Sequence, residues 1–208
     1  MRLSGLLRRP LVLASLCVIF GIVVVAMIGP WIAPWDPLAL DQNNVNQGSS
    51  SAHLLGTDEF GRDILSRLLV GIRPTVVVAL VSTTIAALLG TALGIVGGYG
   101  NRTVGFFIMR GVDIMLSFPA ILLALLAVGF WQSGVLSLSI VIGIIIIPQF
   151  ARVAQSAPLQ VQGQELVEAE HAKGARYTRV IFRAILPNIL APLVVQATLT
   201  IAAAILLE

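Results

Sequence analysis

Charge is scarce in this sequence. Of 208 residues only 11% are Asp, Glu, Lys or Arg, while 57% are hydrophobic; soluble domains carry roughly a quarter charged residues. So few charges cannot clothe a water-soluble globule, and a mean hydropathy of +0.96 puts lipid around much of the surface. The net charge of +3 is small, which argues against a nucleic-acid partner. Cysteine is limited to Cys17, inside an apolar run, so no disulfide framework is expected. The two histidines, His53 and His171, stand far apart and outside any metal-ligand spacing. There is no GxxxxGK[ST] loop to hold a nucleotide, and Lys173 is the only lysine. No Ser/His/Asp or Cys/His set is suggested. No apolar run carries an ionisable residue in its interior, where ion-coupled transporters usually keep one. These absences predict no catalytic residue, no metal and no cofactor. Any work the chain does must be driven by another subunit.

What is present is a series of apolar runs. Residues 11–32 hold no charge and suffice to cross a hydrocarbon core of roughly 30 Å. Trp31 and Trp35 close the run as interface aromatics, so an uncleaved first span is expected rather than a signal peptide. Residues 33–73 turn polar. Within them Ile64, Leu65, Leu68, Leu69 and Ile72 share one helical face, with Asp63, Ser66, Arg67 and Arg73 away from it, which reads as an interfacial amphipathic helix. Asp63 and Arg67 stand at i, i+4 and are expected to pair. Further spans are predicted over 74–99, 114–130, 135–150 and 189–207. A short polar loop is expected at 100–113 and a longer one at 151–188. The predicted fold is therefore all-α, a polytopic bundle of five transmembrane helices in a lipid bilayer. The division is 1–32, 33–73 and a core of 74–208.

Basic residues orient the bundle. Ten of the thirteen fall before the first span, between the second and third, or between the fourth and fifth. The positive-inside rule then places the N-terminus in the cytoplasm. In the second span Gly90, Gly94 and Gly98 recur every four residues, a strip where another helix could approach closely; the rival reading is that glycine is common in membrane helices.

The loop before the last span is the most patterned stretch. Glu168-Ala169-Glu170, then Gly174 after three residues, then Ile185-Leu186-Pro187 resembles the EAA loop of ATP-binding-cassette (ABC) importer permeases. The resemblance implies that this loop is a coupling helix docked on an ATPase subunit. Glu168 and Ala169 would face the ATPase, Gly174 would make the sharp turn, and Ile185, Leu186 and Pro187 would lead into the next span. Glu170 departs from the family's second Ala and puts a carboxylate where a small residue packs. Leu55-Gly56-Thr57-Asp58 and Gly61-Arg62-Asp63, with Met109-Arg110-Gly111-Val112-Asp113 and Ser117-Phe118-Pro119, look like the corresponding segments of dipeptide, oligopeptide and nickel permeases. They favour the second permease of the heterodimeric pair.

The resemblance implies a multi-pass permease subunit of the inner membrane. It would form a path for peptides, or a related small solute such as nickel, with a homologous partner permease, two ABC ATPases and an external solute-binding protein. Asp58, Arg62 and Asp63 are candidate contacts for the binding protein; the rival reading is that they cap and solubilise a helix. Family members continue beyond the position of Glu208 into a sixth span. An inactive truncated fragment is therefore the chief rival reading, ahead of an ion-coupled secondary transporter.

Overall fold

The computed structural model describes residues 10–130, 134–161 and 177–207. The described residues form helices joined by turns, with one isolated antiparallel bridge, Thr57 to Asp63. The helices are α1 (Pro10–Ile32), α2 (Ile64–Tyr99), α3 (Arg102–Leu116), α4 (Ala120–Phe130), α5 (Val135–Val161), the single turn α6 (Tyr177–Val180) and α7 (Leu186–Leu207). A π-helical turn, Ile181–Ile185, joins α6 to α7. Among the described residues, four stretches are long and apolar enough to cross a membrane: Pro10–Ile32, Ile64–Tyr99, Val135–Ser156 and Leu186–Leu206. The bent pair Arg102–Leu116 and Ala120–Leu126 makes a fifth candidate.

Two expected boundaries move. The amphipathic segment before residue 74 is continuous with the second span, and together they form the 36-residue α2. At 1.5 Å per residue this helix is roughly 54 Å long, well beyond the hydrocarbon thickness. Pro74 lies within it without ending it; beside it the Thr75 hydroxyl donates to the Gly71 carbonyl at 3.0 Å. Pro74 itself leaves the Val70 carbonyl without its helical donor. The second change is at 100–113, expected as a polar loop. It is helix α3, capped by Asn101, whose side chain accepts from the Thr103 N–H at 2.9 Å. The expected third span is thus broken. α3 ends at Leu116, and α4 leaves at 85° to it. Pro119 explains the break, because its ring removes a donor and disfavours helical backbone at Phe118.

The chain divides into two compact units, 1–76 and 77–208, with the boundary inside α2. In the first, α1 is exposed over most of its length. It approaches the start of α2 at Gly29, where a Cβ would collide with the Leu69 carbonyl. In the second, α5 is central. Val78, Ala79 and Ala86 of α2 pack on Ile142, Ile146 and Phe150 of α5, with Ala204 of α7 completing the cluster. Met109 and Val112 of α3 close on Ala151. Many large apolar side chains remain exposed on the outer faces of α1 and α7, as lipid-solvated helices require.

Candidate functional site

The densest polar geometry lies in the first unit, in the turns that lead into α2. Gly56 and Gly61 have φ of +79° and +76°, a region that costs an L-residue but not glycine. Space requires glycine there as well. A Cβ on Gly61 would strike the backbone of Asp41, and one on Gly56 would strike that of Gln47. These two turns fold residues 56–63 back on themselves. The Asp58 N–H donates to the Arg62 carbonyl at 3.0 Å, and the Ile64 N–H donates to the Gly56 carbonyl at 3.1 Å. Thr57 ties the knot to the preceding loop, its hydroxyl accepting from the Gln47 N–H at 3.0 Å and donating to the Asn44 carbonyl.

Two carboxylates organise this knot. Asp58 Oδ1 accepts from the N–H groups of Phe60 and Arg62, each at 2.9 Å. Its Oδ2 accepts from Arg62 Nε at 2.8 Å and also from Arg67. Arg67 is therefore paired with Asp58, and not with Asp63 as its i, i+4 spacing suggested, because Asp63 points inward. Desolvation raises the Asp58 pKa, but the backbone bonds from Arg62 and Phe60 and the Arg62 guanidinium outweigh it and hold the group at about 2. The Arg62 guanidinium also lies 4.7 Å from the centre of the Phe60 ring.

Asp63 is 3% exposed. Its Oδ2 accepts from the Ser66 N–H at 2.8 Å and the Ser66 hydroxyl at 2.7 Å, an N-cap for α2. Its Oδ1 lies 3.0 Å from His53 Nδ1. The Ser66 oxygen in turn accepts from the Trp35 N–H at 3.0 Å, and the Trp35 ring lies 5.2 Å from that of His53. Burial pushes the Asp63 pKa up, and the bonds from Ser66 and His53 bring it below the usual carboxylate value. Of the three expected contact residues, Asp58 and Arg62 are therefore partly exposed while Asp63 is an internal brace. That His53, Ser66 and Trp35 brace Asp63 was not expected from the sequence. Their types were visible there, but the turns that bring them together were not.

In the second unit, Gly90 and Gly94 lie against α5. A Cβ on Gly90 would sit 2.6 Å from both the Ile147 carbonyl oxygen and Phe150 Cβ. One on Gly94 would sit 2.6 Å from Ala154 Cβ. Gly98, the third of the series, is partly buried. Beside it Gly97 faces Met109 of α3, whose sulfur would lie 2.8 Å from a Cβ there.

Of the loop residues expected to meet an ATPase, Glu168, Ala169 and Gly174 lie outside the described residues. Ile185, Leu186 and Pro187 are described. Ile185 is 1% exposed and packs with Val180, Ile189, Ala154, Ile95 and Tyr99. Leu186 packs against that cluster, and Pro187 is exposed in the first turn of α7.

Two polar pairs were not anticipated. Asp113 of α3 pairs with Arg152 of α5. Gln196 of α7 donates to Gln149 of α5 at 3.1 Å, and to Thr200 at 3.3 Å. A search for ionisable residues at membrane depth passes over amides; glutamine inside an apolar run is the signal that would have found them.

Comparison with known proteins agrees with this architecture. Residues 90–208 match the model of the binding-protein-dependent transport system inner membrane component. Residues 3–49 match the N-terminal transmembrane domain of oligopeptide transport permease C. The chain is 37% identical over 199 residues to the dipeptide transport system permease protein DppC of Alkalihalophilus pseudofirmus, covering 96% of this chain and 66% of that protein. It is 38% identical to the di/tripeptide transport system permease protein DppC of Pseudomonas aeruginosa, over 93% of this chain and 66% of the relative. It is 32% identical to the glutathione transport system permease protein GsiD of Pectobacterium atrosepticum, over 96% and 67%. The chain thus spans about two thirds of the length of these relatives.

Proposed function

The chain belongs to the family of binding-protein-dependent transport inner membrane components, and from that premise we propose that it is the membrane-spanning permease subunit of an ABC importer for peptides or a related small solute. It is a multi-pass inner-membrane protein. A homologous permease completes the path, two ATPase subunits drive it, and an external solute-binding protein delivers the cargo. The N-terminus faces the cytoplasm, which puts the knot at 56–63 outside and the loop at 151–188 inside. Dipeptide, di/tripeptide and glutathione carriers among the relatives favour a short peptide as cargo.

The observation that carries the mechanism is the seating of Ile185. It is buried against α2 and α5 at the foot of α7, so a displacement of the preceding loop passes into three helices rather than dissipating in solvent. Packed interiors transmit such displacements because they compress little. Glu168 and Ala169 contact the ATPase, Gly174 permits the turn, and Leu186 and Pro187 carry the motion into the span. At the external end Asp58 and Arg62 present polar atoms at the rim of the knot for the binding protein, with Asp63 holding that rim on α2. Gly90, Gly94 and Gly98 keep α2 close to its neighbours, so the bundle rocks as a body. Alternating access requires such movement between two discrete arrangements.

Copurification tests this. The chain is expected to bring down its ATPase, whereas the double variant Glu168→Arg, Gly174→Pro loses it and keeps the partner permease. Equal recovery of the ATPase by both proteins would remove the coupling role from this loop.

A further inference from the structure

The substrate path is the part of a permease that apolar periodicity leaves unmarked, and the Gln149–Gln196 pair supplies a landmark for it. Gln196 is the central residue of the apolar stretch Leu186–Leu206, and Gln149 stands about one helical turn past the middle of Val135–Ser156. Both side chains are therefore at membrane depth. They share one hydrogen bond, 3.1 Å long, in which Gln196 donates and Gln149 accepts. Among the described residues the NH2 group of Gln149 and the carbonyl of Gln196 have no further partner. Gln149 is exposed, and Arg152 and Ser156 are exposed on the same face of α5, three and seven residues on. Arg152 meets Asp113 of α3 there. A hydrophilic stripe thus runs from the middle of the span to its end.

Besides a partner protein, three environments can surround such a stripe. Lipid would strand amide groups in hydrocarbon with nothing to bond them. A helix-to-helix glue needs the shared bond only and gives no reason for the stripe to continue through Arg152 and Ser156. Water satisfies all of it. We propose that the α5 face carrying Gln149, Arg152 and Ser156, with Gln196 at its head, lines the water-filled half of the solute path, and that the two carboxamides are hydrogen-bonding groups for a peptide passing the membrane midplane. The proposal rests on the permease reading.

Thiol labelling tests it in the assembled complex, in open membrane fragments that admit reagent from both sides. Cys17 is the only cysteine of the chain and lies exposed about one turn from the middle of α1. It therefore serves as the depth-matched lipid reference. A Cys17→Ser, Gln149→Cys protein is expected to react with a charged methanethiosulfonate roughly tenfold or more faster than the unaltered chain, because the reactive thiolate forms in water and is suppressed in apolar surroundings. If the complex assembles and the two thiols react at the same slow rate, Gln149 is covered by lipid or by the partner permease. The path inference then fails while the permease reading stands. If the chain does not copurify with an ATPase at all, both fail together.

Discussion

At the scale of single residues, the knot at 56–63 depends on two carboxylates whose roles differ. Asp58 is tied to Arg62 and Arg67 at the rim, whereas Asp63 is enclosed with His53 and Ser66 beneath it. Loss of Asp63 removes the α2 cap and strands the Ser66 hydroxyl. Asp63→Ala is expected to destabilise the first unit by about 1–2 kcal/mol, read as faster proteolysis within residues 33–63. Asp58 and Asp63 both have folded pKa values below their ordinary ones. A depressed carboxylate stabilises the fold above its unfolded pKa, and that contribution is lost as pH falls through the folded value. The knot is therefore expected to hold unchanged from neutral pH to about pH 4 and to loosen toward pH 2, the value reached by Asp58. Proteolysis by an acid-active protease across that range checks it. An onset of loosening above pH 5 would mean that some other group controls the segment. The Asp113–Arg152 pair is about half exposed at the arginine, so Arg152→Ala is expected to change thermal stability by less than about 1 kcal/mol.

At the scale of elements, close helix contact replaces hydrophobic segregation. α2 and α5 are apolar on most sides, so their mutual orientation cannot come from hiding an oily face from water. It comes from where backbones approach, which small residues decide. Gly94→Leu is expected to cost about 1–3 kcal/mol by overpacking against Ala151 and Ala154, seen as a lower melting temperature in detergent. Gly71→Ala supplies the contrast, since a Cβ there meets nothing within 4 Å. It is expected to be neutral or to stabilise by up to about 1 kcal/mol through helix propensity. If Gly94→Leu melted like Gly71→Ala, the close approach of α2 to α5 would not hold in the membrane.

At the scale of the whole molecule, the proposed mechanism requires an external knot and an internal coupling loop. The knot adjoins the first turn of α2, and the Ile185 cluster gathers near its last, where Ile95 and Tyr99 lie. An impermeant maleimide applied to intact cells is expected to label Cys17→Ser, Ser51→Cys and to leave Cys17→Ser, Asn101→Cys unlabelled until the membrane is opened. The reverse pattern would invert the orientation and remove the coupling assignment.

Much of this protein follows from chain chemistry alone. Long uncharged apolar runs have no stable place but a bilayer, so the spans expected over 11–32, 135–150 and 189–207 were legible, and they fall within or close to Pro10–Ile32, Val135–Ser156 and Leu186–Leu206. The motif around Gly56 and Gly61 was legible as a segment through its resemblance to the dipeptide, oligopeptide and nickel permeases. Periodicity could not tell that the segment from residue 64 and the second span are one helix, or that Pro119 divides the third. Both depend on whether a proline is carried within a helix, as Pro74 is, or stands at a break, as Pro119 does. Nor could it pair Arg67 with Asp58, enclose Asp63 with His53, or bring Gln149 to Gln196. Those contacts join residues as far as 47 positions apart. Their partners are chosen by tertiary packing, which brings distant groups together and decides which side chains keep water and which must find one another.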